Sequence, residues 1–347
     1  MTASGRTAPH VAGPVPEIVA SLERSIGQRS RDPLLAAVPA QLWDDALLDP
    51  LREFLGRPSK RFRARLVELG FRLAAGGNGA PPRELATIIE SLHAGSLIVD
   101  DIEDESEFRR DAPCLHRNIG VPLALNAGNF LYFWPQVLLS QSGLSAPTRL
   151  LAHERLARCL MRCHQGQALD LSVRVDELAQ ADVPGVVMAI ASLKTGGLLG
   201  LATSLGAVAA GADEARVDAF DTFGCALGVG LQMLDDVSGI QNARRRAKAL
   251  EDLEHSRATF VWAWLAEELD AAPYEQLRRE LLSRGEDGVP EALIERLRFR
   301  LGGFGTRRVR AHFQSALAAL AATIGDSPLF SELAEELVRL ERSYVEG

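Results

Sequence analysis

Aromatic side chains are scarce: Phe, Trp and Tyr make up 6% of the 347 residues, while Ala and Leu dominate, a bias that favours helix. Apolar and polar residues nowhere alternate convincingly as in a strand, and no Gly-rich phosphate loop or short repeat is found. Cysteine occurs only at Cys114, Cys159, Cys163 and Cys225, without the spacing of a disulfide framework, which suits a reducing cytoplasm. No uncharged run reaches the length of a membrane span. Basic residues are outnumbered, 38 Lys and Arg against 46 Asp and Glu. The net charge of −8 argues against a general nucleic-acid binder and gives no electrostatic reason to sit on an anionic membrane. The first residues, MTASGRTAPHVAGPVPE, lack the apolar core of a signal peptide, and 1–14 read as a disordered lead.

Apolar residues, at 47%, are enough for a substantial core. From 15 to 347 the pattern predicts a single all-α domain with many helices around a central cavity. Helices are expected over PEIVASLERSIGQRS, Pro33 to Leu55, the stretch after Gly56 and Pro58, and about Arg83 to Phe108. Pro122 to Ser140 is expected to kink near Pro135, and helices continue over about 183–210 and 214–238 and then to the end of the chain. In SKRFRARLVELGF, Ser59 is a candidate cap, and Lys60, Arg61 and Arg63 crowd a helix N-terminus, where positive charge opposes the dipole. An anion or plain solvation would relieve that cluster equally well. Cys159, Cys163 and His164 lack a fourth partner for zinc and read as ordinary helix residues.

Chemistry concentrates in ESLHAGSLIVDDIEDESEFRRDAPCLH, Glu90 to His116. An apolar helix runs straight into Asp100, Asp101 and Asp104, and Arg109 and Arg110 follow. Residues four apart share a helix face, so Asp100 and Asp104 point the same way with Asp101 close by. Hard cations of the Mg2+ type take oxygen ligands and share them with phosphates, so this pattern suits a magnesium-bridged diphosphate; a solvated acidic helix end is the plainer reading. A second junction of the same kind, 135 positions on, carries Gln232, Asp235 and Asp236, with Gly239 beyond. Lys194 lies in a helix of small and apolar residues, costly unless it faces an anion or a polar cavity. Arg257 follows the second acidic pair with Lys248 upstream, while Arg244, Arg245 and Arg246 read as a solvated loop without a role.

Taken in order, SKRFR, DDIED with RR and PCLH, GQALDL, KTGG and LQMLDD resemble the motifs of the trans-isoprenyl diphosphate synthases, over about Gly56 to Phe260. The resemblance implies the all-α isoprenoid-synthase fold and condensation of isopentenyl diphosphate with an allylic diphosphate. It implies Mg2+, about three ions per active site with Mn2+ able to substitute, on Asp100, Asp101, Asp104, Asp235 and Asp236. The allylic diphosphate would meet Arg109, Lys194, Thr195, Gln232 and Arg257, and isopentenyl diphosphate would meet Lys60, Arg63, His93 and Arg110. Gln167 and Thr195 would stabilise the allylic cation. Gly95 and Ser96, small where short-chain enzymes carry bulky aromatics, point to a C20 or somewhat longer product, with Leu92 and Phe130, Phe133 or Trp134 as a floor. A homodimer is also implied. Four features depart from the pattern: Gly239 replaces a third acid, Leu231 a phenylalanine, Ser256-Arg257 a glycine-lysine, and Asn129 a frequent Asp. A terpene cyclase on the same fold, or a non-catalytic partner subunit, are the competing readings.

Overall fold

The computed structural model of the protein describes residues 17–27, 32–58, 61–110, 112–283, 289–325 and 327–345. The expected lead over 1–14, the Ser59 cap and the diphosphate contact from Lys60 lie outside the described residues. The fold is all-α, with 82% of the described residues helical. The named strands are the two-residue segments Phe108–Arg109 and Ala112–Pro113, an antiparallel hairpin placing Phe108 opposite Pro113. The chain divides into two compact units, Met1–Arg61 with Glu90–Leu138, and Phe62–Ile89 with Leu139–Gly347.

In the first unit, the helical region expected over Pro33 to Leu55 consists of Pro33–Ala36, Ala40–Trp43, a π turn at Asp44–Leu48, and Asp49–Gly56. Proline explains the breaks. Pro33 and Pro50 sit in first turns and Pro39 at an N-cap, where a missing N–H costs nothing. Asp32 caps the first piece by accepting a bond from Leu34 N at 2.9 Å. The Arg83–Glu103 and Val121–Gln141 helices cross closely in this unit: a Cβ on Gly95 would stand 2.9 Å from Gly128 O and 3.1 Å from Leu131 Cβ. Ser91 Oγ donates to Leu131 O at 2.9 Å beside that crossing, and Trp134 Nε1 donates to Ser25 Oγ at 3.0 Å on the Glu17–Gly27 helix. Leu22, Leu51, Phe54 and Ile98 are buried here.

The second unit is built on one apolar run. Val183–Ala191, a π turn at Ser192–Gly196 and Gly197–Ala209 follow without a break, and every residue from Gly197 to Val208 is buried. Gln180–Ala209 is long and apolar enough to cross a membrane by length and composition, with a mean hydropathy of 1.6. Here it is a core element, packed between the Phe62–Ala74 and Glu214–Gln241 helices and against Ala146–Ser172. Capping fixes the two long neighbours: Asp213 accepts from Arg216 N at 2.9 Å, and Ser145 from Thr148 N at 3.4 Å. Between Arg246 and Glu254 the chain forms a helix where a loop was expected.

Backbones touch where Gly70 meets Thr203 and where Gly206 meets Phe71. A Cβ on Gly206 would lie 2.6 Å from Phe71 N and 3.0 Å from Gly70 C, and a Cβ on Gly70 3.0 Å from Thr203 C. Main chain cannot yield as a flexible side chain would. Gly206→Ala is therefore expected to destabilise the protein by about 2 kcal/mol, read as a lowered urea midpoint, whereas the same change at the open Gly56 is expected to cost well under 1 kcal/mol.

Candidate active site

The first group of site residues belongs to the first unit. The acidic helix finishes with Asp104 N donating to Asp100 O at 2.8 Å, and Glu105, at φ +53°, turns the chain away. Asp100 and Asp104 are half-buried, whereas Asp101 is fully buried. Asp101 Oδ1 accepts from Arg109 Nε at 2.7 Å and also from Arg109 Nη2, while Oδ2 is buried without a hydrogen-bond partner. Read as a metal ligand, Asp101 is instead engaged with an arginine. Burial opposes the Arg109 charge, but the Asp101 carboxylate more than compensates and holds its pKa above the ordinary value.

Arg110 is placed differently, at φ +56° in the turn of the hairpin. Burial lowers its pKa, against the pull of Glu90 and with the added repulsion of Arg109 and Arg57. An arginine does not lose its proton, so this is a region that favours an added anion. Arg57, which sequence reasoning passed over, fixes the hairpin: it is 7% exposed and donates to Arg109 O at 3.0 Å and Pro113 O at 2.8 Å. Burial and Asp101 push the neighbouring Cys114 thiol up to about 12, so it stays protonated at neutral pH.

His93 is half-buried on the same helix, and Ser96 Oγ donates to His93 O at 2.8 Å. The chain-length residues separate. Gly95 is small because the helix crossing demands it, and Leu92 is buried at 2% exposure. Phe133, expected in a tunnel floor, is 73% exposed. It belongs to a stripe of exposed residues four apart, Val121, Leu125, Asn129, Phe133 and Val137. Ser96 is half-buried.

The second group belongs to the second unit and centres on the π turn. Lys194 Nζ donates to Asp170 Oδ2 at 2.7 Å, and Arg257 Nη1 reaches the same oxygen at 3.4 Å. Arg257 Nε lies 3.8 Å from Asp252, which Lys248 Nζ holds at 2.9 Å. Burial resists the Lys248 charge, and the carboxylates of Asp252 and Glu251 overcome it, so its pKa stands above the ordinary value. Asp170 and Asp252 were not singled out from the sequence, although Asp170 lies within GQALDL. The signal available was the need of Lys194 for a carboxylate.

Thr195 Oγ1 donates to Gln232 Oε1 at 3.3 Å, and Gln232 Nε2 donates to Asp236 Oδ1 at 2.8 Å. Asp236 Oδ2 accepts from Phe260 N at 2.7 Å, at the start of the Phe260–Glu268 helix. Expected to hold metal, Asp236 is instead buried in this chain of bonds; burial and the nearby Asp252 push its pKa well up, against the bond from Phe260 N. Asp235 is half-buried and paired with Arg245. The Arg245 guanidinium lies 4.4 Å from the Tyr344 ring centre, so the residue read as a solvated loop arginine sits on the second acidic motif. Arg63, half-buried in the first turn of Phe62–Ala74, is near enough to pull the Tyr344 phenol downward, against burial and Asp235, which raise it. Gln167 is half-buried one turn before Asp170.

The thiols serve the backbone. Cys163 and Cys225 lie 3.5 and 3.6 Å from Lys194 O and Ser192 O, and Cys159 lies 3.3 Å from Gly197 O, close to carbonyls displaced by the π turn. His164 is exposed, its Nδ1 2.9 Å from Leu160 O. Among the described residues no three His, Cys, Asp or Glu side chains converge into a preformed metal cage. The half-buried carboxylates, Asp100 and Asp104 in the first unit and Asp235 in the second, are oxygen donors of the kind that fits a Mg2+-type ion completing its shell with phosphate oxygens and water. Asp101→Asn leaves Arg109 without its charged partner and is expected to lower stability by about 3 kcal/mol, read from urea unfolding. Asp100→Asn is expected to cost less than about 1 kcal/mol by the same measurement, which separates an aspartate that builds the site from one that faces a ligand.

Comparison with known proteins places the chain in a family. The chain is 32% identical over 185 residues to a geranylgeranyl diphosphate synthase of Sulfolobus acidocaldarius, a match spanning 52% of this chain and 54% of that one. It is 27% identical over 294 residues to a geranylgeranyl pyrophosphate synthase of Geoglobus acetivorans, spanning 82% of this chain and 89% of the relative. Among solved structures, the geranylgeranyl pyrophosphate synthase of Corynebacterium glutamicum, complexed with isoprenyl diphosphate and magnesium, superposes with a TM-score of 0.69 at 21% identity. That likeness covers 96% of this chain and 99% of that one, and it concerns the fold. The polyprenyl synthetase family model matches residues 44–295, well over half of the sequence, and the chain belongs to that family.

Proposed function

We propose that the protein is a head-to-tail trans-prenyltransferase, joining isopentenyl diphosphate to an allylic diphosphate to give a C20 or somewhat longer prenyl diphosphate and pyrophosphate. The observation that carries this reading is the contrast between adjacent arginines. Arg109 is committed to Asp101, while Arg110 is half-buried beside Arg57 and Arg109, an arrangement that a highly charged anion completes. Named relatives that make geranylgeranyl diphosphate support the product class.

Asp100, Asp104 and Asp235 hold divalent metal in this reading, and Arg109 and Lys194 bind the allylic diphosphate with Arg257. Mg2+, for which Mn2+ can substitute, neutralises the diphosphate and makes it a leaving group. The allylic C–O bond breaks with its electron pair leaving on pyrophosphate. Thr195 and Gln167 offer oxygens to the resulting cation, and Asp236 keeps Gln232 turned toward Thr195. Isopentenyl diphosphate, held by Arg110, Arg63 and His93, attacks through its double bond, and the proton then lost goes to the released pyrophosphate. Asp170, shared by Lys194 and Arg257, keeps both cations in place before substrate arrives.

Homodimerisation is proposed on the exposed stripe of the Val121–Gln141 helix, where Phe133 and Val137 are 73% and 47% exposed. Phe133→Glu is expected to convert a dimer into a monomer in light scattering.

The activity is tested with purified protein, Mg2+, isopentenyl diphosphate and C5, C10 or C15 allylic primers. Pyrophosphate release with a longer chain is expected. Loss of the primer without isopentenyl incorporation would point to a cyclase or lyase, and inactivity relieved only by a related synthase to a regulatory subunit. Ser96→Phe is expected to shorten the product in the same assay, while Phe133→Ala leaves its length unchanged.

A further inference from the structure

Where the family pattern sets a third acid, the second acidic motif carries the buried Gly239, and a Cβ there would meet Ala249 in ordinary contact, 3.4 Å from its Cβ and 3.5 Å from its N. The Arg246–Glu254 helix lies against that position. The residue preceding that helix, Arg245, pairs with Asp235 and brings a positive charge to a motif that is one carboxylate short.

Arg245 is held there from several sides. Its guanidinium lies 4.4 Å from the ring centre of Tyr344, on the Leu329–Val345 helix. Asn242 shapes the turn before it, accepting from Arg244 N at 3.0 Å through Oδ1 and donating to Tyr344 O at 3.3 Å through Nδ2. On the other side Arg246 is fixed by Glu291 and by Glu295, the latter at 3.0 Å. Both members of the Arg245–Asp235 pair remain about a quarter exposed, 27% and 26%, so a ligand can reach either one.

We propose that Arg245 is a resident counter-ion of the second acidic motif: it competes with divalent metal for Asp235 and, when metal takes the carboxylate, turns its guanidinium to the diphosphate. A positive charge carried by the protein thus stands in for part of the charge that a third carboxylate would recruit as metal. Guanidinium suits the exchange because its planar fork matches carboxylate and phosphate oxygens alike. The inference rests on the prenyltransferase reading above and deepens it at one residue.

Binding separates the two. Free Mn2+ is counted by electron paramagnetic resonance, and inorganic pyrophosphate binding is followed calorimetrically at low and high Mn2+. Arg245→Gln is expected to bind Mn2+ several-fold more tightly without pyrophosphate. It is also expected to bind pyrophosphate about tenfold more weakly at low Mn2+, recovering at high Mn2+. Arg245→Lys should restore part of the low-metal affinity, and Tyr344→Leu should lose part of it. Arg244→Gln, which removes an exposed neighbouring charge, is expected to leave both measurements unchanged. Equal pyrophosphate affinity in folded Arg245→Gln and in the wild type overturns the role of Arg245 and leaves the prenyltransferase reading standing. A wild type that binds no pyrophosphate with metal overturns both.

Discussion

A lysine in the middle of the most apolar helical run of the chain must have a counter-charge, and much of the second unit can be understood from that requirement. Lys194 lies in Gln180–Ala209, where an unmatched ammonium would cost several kcal/mol. Asp170 supplies the match from the end of the Ala146–Ser172 helix, and the two helices approach closely enough at Gly166 that a Cβ there would sit 2.8 Å from Leu193 Cβ. The π turn at Ser192–Gly196 breaks the ordinary ladder at the same place and leaves carbonyls that thiols of Cys159, Cys163 and Cys225 approach. A half-buried charge, a helix irregularity, a close crossing and three cysteines thus meet at one place.

The two acidic motifs follow a common division of labour. In each, one aspartate is turned inward and builds, while its neighbour remains half-buried and accessible. Asp101 orients Arg109; Asp236 ties Gln232 to the start of the Phe260–Glu268 helix. Buried carboxylates of this kind call for hydrogen bonds or cations: Asp236 bonds through both oxygens and Asp101 through Oδ1 to Arg109. The accessible members, Asp100, Asp104 and Asp235, are the ones proposed above to take metal. A doubled aspartate is therefore two different residues in structural terms, and reading both as ligands overlooks the inner one.

Helices with strong apolar periodicity were legible in the sequence, as were the acidic junctions and the order of the motifs. What escaped it required knowledge of the partner. Gly95 looked like an open wall because smallness alone cannot distinguish a tunnel from a helix crossing, and Gly128 O decides the matter. Phe133 looked like a floor because an aromatic on an apolar helix is usually buried, but its position four residues from Asn129 and Val137 puts it on the exposed stripe. Arg245 looked solvated because a run of three arginines usually is, and no local pattern announces its pairing with Asp235. The π turn at KTGG also leaves no mark in periodicity, since it adds one residue inside a continuous apolar run.

Ser256 shows how a departure from a family pattern can be stabilised locally. It stands where the resemblance sets a glycine, and its φ of +52° is the left-handed conformation that glycine adopts freely. A side chain there costs about 1 kcal/mol. Ser256 is fully buried, and its hydroxyl accepts from Arg174 Nη2 at 3.2 Å while Val175 N donates to its carbonyl at 2.8 Å. The hydroxyl and Arg174 also help hold the Asp176 carboxyl below its usual range against the effect of burial, so the charge on Asp176 is part of the same set. These bonds offset the strain and fix the Arg174–Arg257 bridge, which sets the direction of the next side chain. Arg257 then reaches both Asp170 and Asp252, a span that suits the breadth of a guanidinium better than the point charge of a lysine. Serine and arginine are in this sense one substitution: the hydroxyl holds the turn from which the longer fork can bridge two carboxylates.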